Sequence, residues 1–158
     1  MNAGLAVALA FGIGVVAGLR SMTAPAVVAW AAHLGWINLS GSPLAFMGSI
    51  WAVAIFTLGA LGEFIADQLP STPPRTKGPG LIARIVMGLL TGACLALAGG
   101  ASLIVGAILG AVGSLVGAFG GYYARTGLVR SLRVPDFAVA IPEDLIAVGL
   151  GLLLVTRL

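Results

Sequence analysis

The chain has 158 residues, of which 59% are hydrophobic and only 8% are charged, and 24 of them are glycine. Soluble domains are about 25% charged, so a mean hydropathy of +1.12 with so few charges excludes a soluble fold, a disordered chain and a nucleic-acid-binding protein. The net charge of +3 rests on eight Lys and Arg residues. The composition therefore predicts an integral membrane protein with one transmembrane domain over residues 1–158.

The chain carries few of the residues that catalysis or disulfide chemistry requires. It has one cysteine, Cys94, within an apolar stretch, and one histidine, His33. Neither can be assembled with the carboxylates into a nucleophile-and-base constellation, so we expect no catalytic residues and no enzyme. The first charge is Arg20, and without a basic start we expect the first apolar stretch to remain rather than be cleaved as a signal peptide.

Six apolar segments lie between charges and turn residues, and together they predict an all-α membrane protein. A helix needs about 20 apolar residues to cross the hydrocarbon core. The segments run at about 3–19, 22–37, 43–62, 81–98, 101–124 and 137–156. The second segment is short, so five crossings with one re-entrant helix are the alternative to six. Three crossings followed by three opposite ones would also fit a 3+3 inverted repeat.

Basic residues are distributed unequally between the two ends of these segments. With six crossings, only Arg157 lies on one side, and seven residues lie on the other: Arg20, Arg75, Lys77, Arg84, Arg125, Arg130 and Arg133. Loops rich in Lys and Arg stay in the cytoplasm. The sequence therefore predicts that this end is cytoplasmic and that both termini are outside; the five-crossing version moves the N-terminus to the cytoplasm.

Small residues recur at helical spacing in the fourth and fifth segments. In the fifth segment, the spacing alternates between four and three residues, and the glycines are Gly106, Gly110, Gly113, Gly117 and Gly120. In the fourth segment, small residues recur every four residues, and the glycines are Gly88, Gly92 and Gly100. In lipid, helices associate through such small residues. We expect glycine-zipper packing, within the chain or between copies, and a homo-oligomer formed through glycine faces.

Glu143 and Asp144 are the acidic residues that the bilayer accommodates least easily. Only 12 apolar residues follow them before Arg157, about 18 Å of helix, which cannot cross about 30 Å of hydrocarbon. Either the helix begins near Phe137 and carries the pair about 9 Å into the membrane, or it begins at Pro142 after irregular backbone. Ionisable residues at such depth are usually functional.

A second acidic pair, Glu63 and Asp67, lies four residues apart near the same end, where Arg20, Arg84 and Arg125 also lie. We predict that these five residues, together with Glu143 and Asp144, form a polar site in the cytoplasmic half. The four carboxylates would supply oxygen ligands for a metal such as a divalent cation, or a proton relay. Arginines suit an anionic group such as a lipid phosphate, and a structural ion-pair network is the simpler explanation.

Three stretches resemble a family of small bacterial membrane proteins, the domain of unknown function 4126 family: Gly18-Leu-Arg-Ser-Met-Thr-Ala-Pro25, Gly62-Glu-Phe-Ile-Ala-Asp-Gln-Leu-Pro70 and Pro142-Glu-Asp-Leu-Ile-Ala147. The resemblance covers Ala17 to Leu153 and implies a multi-span protein of the bacterial inner membrane, without implying an activity. In the family we expect the positions of Glu63, Asp67 and Pro70 to recur, as well as the later Glu-Asp pair. Relatives often carry Lys where this chain has Gln68.

The leading hypothesis from the sequence is a small transporter or channel for a small cation or a proton-coupled solute. It follows from carboxylates placed at membrane depth. The alternative hypothesis is a non-transporting membrane scaffold or lipid-binding protein, in which the buried charges only hold the helices together. The predicted partners are the lipid bilayer, a small ion or solute, and further copies of the chain.

Overall fold

A computed structural model of the chain describes residues 3–67 and 76–158. Gln68, Pro70 and Arg75, which the sequence analysis names, lie outside the described residues. The described ranges are helical and contain no strand. The helices are α1 (Ala3–Leu19), α2 (Thr23–His33), α3 (Ile50–Ala66), α4 (Gly78–Ala98), α5 (Leu103–Leu132) and α6 (Asp136–Val155), with a short 3-10 helix at Ala45–Gly48 before α3.

Helices α1, α4 and α5 form the centre of the bundle and touch through their backbones. A Cβ atom added to Gly110 would lie 2.0 Å from the carbonyl oxygen of Gly88, and one added to Gly14 would lie 2.2 Å from the carbonyl oxygen of Gly110. Such contacts require glycine on the approaching faces. These faces are covered within one chain, so the predicted homo-oligomer would have to form through another surface.

Successive helices run in opposite directions. Helix α5 is parallel to α1, since Gly14 faces Gly110 and Gly18 faces Gly117. It is antiparallel to α4, since Gly88 faces Gly110 and Gly92 faces Gly106. This sets Arg84, near the start of α4, beside the end of α1, where its Nε donates to the Gly18 carbonyl.

The three outer helices continue this alternation. Glu63 near the end of α3 bonds the start of α2, and His33 at the end of α2 bonds the Gly48 carbonyl just before α3. The end of α6 lies beside α1, since a Cβ on Gly12 would contact Leu154. The end of α1, the start of α2 and the end of α3 therefore lie together with the starts of α4 and α6, at what we call the charged end.

Three helices, α4, α5 and α6, are long and apolar enough to cross a membrane by length and composition. Helices α1 and α3 are shorter apolar helices of 17 residues each, and α2 has 11. The coarse prediction of a helical membrane protein agrees with this architecture. The packing does not repeat between the halves, because α5 packs along α1 and α4 whereas its counterpart α2 packs mainly against α3 and α6.

Several helix boundaries differ from the segments of the sequence analysis: α2 ends at His33 and not near residue 37, and α3 spans Ile50–Ala66 and not 43–62. Helix α5 does not end near Ala124 but continues to Leu132, because nothing breaks it before Arg133, which adopts a left-handed conformation with φ 53°. Helix α6 begins at Asp136 and runs through Pro142, so the alternative in which the helix begins at Pro142 is wrong. Membrane helices tolerate an internal proline because neighbouring groups satisfy the freed carbonyl.

Candidate functional site: a cluster of ion pairs at the charged end

The charged end gathers all five acidic residues of the sequence and three arginines. We call these eight residues the charged cluster: Arg20, Glu63, Asp67, Arg84, Arg125, Asp136, Glu143 and Asp144. The acidic residues come from α3 with its C-cap and from α6, and the arginines come from α4, α5 and the residue after α1. All seven residues predicted from the sequence are therefore brought together.

Arg20 occupies the interior of the cluster, and its side chain is fully buried. Its Nη1 lies 2.5 Å from Oδ2 of Asp67, and its Nη2 pairs with Oδ1 of Asp144. The guanidinium also lies over the ring of Phe64, 5.4 Å from the ring centroid, within the range of a cation–π contact. One side chain thus joins the end of α1 to α3 and α6.

Glu63 closes the exposed N-terminus of α2. Its Oε1 accepts hydrogen bonds from the backbone N–H and the hydroxyl of Ser21, and its Oε2 accepts one from the N–H of Met22, all at 2.9 Å. A carboxylate at this position satisfies free N–H groups and faces the positive end of the helix dipole. Arg84 Nη2 lies 3.4 Å from Oε1 of the same side chain.

Arg84 is held mainly by backbone carbonyl groups. Its Nε donates to the carbonyl of Gly18 at 3.1 Å, and its Nη1 donates to the carbonyl of Gly80 at 2.9 Å. The packing of α1 against α4 places the Gly18 carbonyl within reach of Arg84. The sequence analysis missed these carbonyl groups, Ser21 and Phe64, because no pattern in the sequence marks a backbone acceptor on another helix.

Arg125 joins α5 to α6. Its Nε donates to Oδ1 of Asp136 at 2.9 Å and its Nη2 pairs with Oδ2, while its Nη1 lies 3.6 Å from Asp67 and 3.5 Å from Glu143. Asp136 is the first residue of α6, and it was not among the site residues predicted from the sequence. The sequence analysis missed the length of α5. This helix continues to Leu132, so Arg125 lies within it rather than at its end.

The cluster contains more negative than positive groups. Three guanidinium groups and five carboxylates leave a formal charge of −2. The side chains of Glu63, Asp67 and Glu143 are each 12% exposed, against 61% for Asp136. Among the described residues, the cluster therefore holds four carboxylates that are largely withdrawn from water.

The described carboxylates do not form a metal centre. No group of three or more His, Cys, Asp and Glu residues in the two described ranges is arranged to hold a metal ion. The four carboxylates predicted as metal ligands instead face arginines or helix N–H groups. The metal-ligating role of Glu63, Asp67, Glu143 and Asp144 stays a prediction.

An open cleft of about 580 Å³ lies at the opposite end of the bundle from the charged cluster. Its walls come from the end of α2, the connection that follows it, and the start of α3, and they include Ala32, Ile37, Asn38, Ser40 and Ser49. No charged residue is among the lining residues. The two ends of the bundle thus differ: one holds the paired charges, and the other holds an open cleft whose lining residues are uncharged.

Comparison with known proteins identifies a family but no activity. The model of a family described as "Domain of unknown function (DUF4126)" matches residues 7–156. This match confirms the resemblance that the three sequence stretches indicated. No curated protein and no solved structure matches the chain.

Proposed function

We propose that this chain, which belongs to the DUF4126 family, is a small transporter or channel for a small cation or a proton-coupled solute. In this proposal all six helices enter the bacterial inner membrane with the charged end in the cytoplasm. The 17 residues of α1 and of α3 correspond to about 26 Å of helix, close to the thickness of the hydrocarbon core.

The observation that carries this proposal is the gathering of four largely buried carboxylates at one end of the bundle, with side chains between 12% and 15% exposed. Asp67 and Glu143 share Arg125 at 3.6 and 3.5 Å, longer than a well-formed charge-assisted hydrogen bond. A cation or proton that arrives between them would compete with a weak ion pair rather than a strong one. We assign Asp67, Glu143 and Asp144 as the ion-binding carboxylates, with Arg20 and Arg125 balancing their charge.

Flux measurements in reconstituted liposomes test the proposal. Protons, Na⁺ and K⁺ are supplied in turn, and uptake is followed with a pH-sensitive dye or a radioactive ion. We expect flux of one of these ions, and a reduction of at least tenfold in Glu143→Gln. The control is Arg130→Gln, which changes one charge at an exposed position of the same end and should retain flux within twofold.

A scaffold or lipid-binding protein is the second candidate, and the hydrogen bonding of Glu63 favours it. That carboxylate is engaged by α2 and by Arg84, so this part of the cluster holds helices together. Lys77, Arg130 and Arg133 are exposed and form no ion pair with a described residue, which suits anionic lipid headgroups.

Thermal unfolding of the purified protein separates the two candidates. A ligand at about 100 times its Kd stabilises a protein by about 2.7 kcal/mol. A shift with one monovalent or divalent cation that disappears in Glu143→Gln supports ion binding. A shift with anionic lipid alone, together with no flux of any tested ion, would overturn the transporter proposal in favour of the scaffold.

A further inference from the structure

The last three turns of α5 extend past the neighbouring helices α1 and α4 at the charged end. Gly117 of α5 faces Gly18, one residue before α1 ends. Helix α4 begins about ten residues before the glycine that faces Gly110, so its start is level with the same part of the antiparallel α5. Further along α5, Gly120 and Gly127 have no atom within 4 Å of their Cβ positions. The end of α5 and the start of α6 therefore form a hairpin that projects from the centre of the bundle.

The length of α5 matches the full thickness of a bilayer. Its 30 residues correspond to about 45 Å, whereas the hydrocarbon core is about 30 Å thick and the bilayer with its headgroup regions is about 40–45 Å thick. Tyr122 and Tyr123 are exposed near the level at which the neighbouring helices end, as is typical of aromatic residues at a membrane interface. The residues that follow them reach the headgroup layer. We call residues 126–137 the hairpin tip.

The hairpin tip exposes positive charge and apolar side chains together. Its large apolar side chains are about half exposed or more: Leu128 (47%), Leu132 (61%) and Phe137 (55%). Arg130 and Arg133 are exposed and form no ion pair with a described residue. The acidic residue of the tip, Asp136, is paired with Arg125, so the two exposed arginines leave the tip positively charged. A surface that is both apolar and cationic is complementary to anionic lipid.

We propose that the hairpin tip is a binding site for anionic phospholipids in the leaflet at the charged end. Arg130 and Arg133 donate hydrogen bonds to the lipid phosphate, and Leu128, Leu132 and Phe137 contact the acyl chains beside it. This site deepens the second candidate function and rests on the membrane placement proposed above. Both arginines lie outside the charged cluster, so ion flux does not depend on the site.

Native mass spectrometry of the full chain in detergent measures lipid binding without reference to flux. Phosphatidylglycerol and phosphatidylcholine are titrated separately, and the unmodified chain is compared with the double variant Arg130→Gln and Arg133→Gln. Each basic residue near an anionic surface strengthens binding about fivefold. We therefore expect the double variant to bind phosphatidylglycerol at least tenfold less tightly, and to bind phosphatidylcholine within twofold of the unmodified chain.

Two controls separate the tip from the general charge of the protein. Arg157→Gln removes an exposed arginine outside the tip and should leave both affinities within twofold. Replacing Arg130 and Arg133 by Lys keeps the charges and should hold phosphatidylglycerol binding within fivefold. Should the Gln double variant fail to fold, Arg130→Gln alone takes its place, with about a fivefold loss expected. Unchanged phosphatidylglycerol binding in the folded Gln variant would overturn the inference.

Fluorescence quenching in nanodiscs that contain phosphatidylglycerol tests where the tip lies. On a Cys94→Ala background, Leu132→Cys is labelled with bimane, and the lipids carry a nitroxide on the headgroup. We expect the nitroxide to quench at least half of the fluorescence seen in nanodiscs without it. An unquenched bimane would place the tip in water, where a soluble acidic protein would be the partner, and would overturn the inference.

Lipid binding and ion flux can fail separately. If the unmodified chain shows no ion flux but keeps its preference for phosphatidylglycerol, the transport function fails and the lipid site stands. If it shows flux but the Gln double variant binds phosphatidylglycerol equally well, the transport function stands and the lipid site is excluded.

Discussion

Arg20 shows how one side chain can bind several helices together in the interior of the bundle. Its guanidinium is fully buried between Asp67 and Asp144 and lies over Phe64. A buried ion pair contributes little net stability when it is intact, but removing one partner leaves the other charges uncompensated. Arg20 therefore matters for stability because its loss would leave Asp67 and Asp144 without this counter-charge.

We predict that Arg20→Gln lowers the free energy of unfolding by about 3–5 kcal/mol, because two buried carboxylates lose their shared counter-charge. Thermal unfolding in detergent measures the change. Arg133→Gln removes an exposed charge and should alter stability by less than about 0.5 kcal/mol. Equal effects of the two substitutions would show that Arg20 does not have this role.

Glu63 provides a second prediction for a single residue. In Glu63→Gln, an NH2 group replaces one carboxylate oxygen and cannot accept the hydrogen bond from Ser21 or from Met22. The substitution also removes the attraction between the negative charge and the α2 dipole. We expect a loss of about 1–3 kcal/mol, measured by the same unfolding experiment. Asp136→Asn, at an exposed position, should cost less; a larger loss in that variant would contradict the capping role of Glu63.

The central helices show what glycine does in this protein. Close packing of α1, α4 and α5 places backbone carbonyls against Cα atoms, and it also brings the Gly18 carbonyl within reach of Arg84. The position of the charged cluster therefore depends on helix contacts about one turn along α4 from Arg84, at Gly88 and Gly110. Substitutions in this packing should disturb the cluster as well as the core.

Gly110→Ala should prevent normal folding, because its Cβ would lie 2.0 Å from the Gly88 carbonyl oxygen and 2.9 Å from the Cα of Gly92. Gly120 lies on the same helix with no atom within 4 Å of its Cβ position. Gly120→Ala should therefore be neutral or stabilise by about 0.4–1 kcal/mol. Size-exclusion chromatography and thermal unfolding make the comparison; a well-folded Gly110→Ala protein would contradict the observed packing.

The whole molecule separates charge along its length. Five acidic residues and seven of the eight basic residues belong to the predicted cytoplasmic side, and the described members of the cluster lie together at the ends of antiparallel helices. The cleft lies at the other end. Charges from five segments meet at one end because successive helices run in opposite directions. Every second reversal of the chain therefore lies at that end.

This alternation predicts which residues are labelled from each side of the membrane. On a Cys94→Ala background, Gly4→Cys and Ser40→Cys should react with a membrane-impermeant maleimide in intact cells, and Arg133→Cys should react only after permeabilisation. If Gly4→Cys is labelled under the same conditions as Arg133→Cys, and not under those that label Ser40→Cys, the chain has five crossings. Labelling of Ser40→Cys and Arg133→Cys from the same side would contradict the alternation of the helices.

The sequence by itself determined the properties that depend on local composition. Long apolar stretches must be helical where no water can satisfy the backbone, and charged residues must lie near the ends of such helices. These two constraints predicted an all-helical protein and the gathering of Arg20, Arg84 and Arg125 with four carboxylates. The quoted motifs also identified the family.

Only the tertiary structure decided which charges meet. Pairing depends on the rotation of each helix and on how closely its neighbours approach, and neither is encoded in the spacing of residues within one segment. Thus Asp136 pairs with Arg125 because α5 continues beyond its apolar part, and Arg84 binds the Gly18 carbonyl because α4 packs against the end of α1. Both contacts join segments that are distant in the sequence, so no pattern within one segment could predict them.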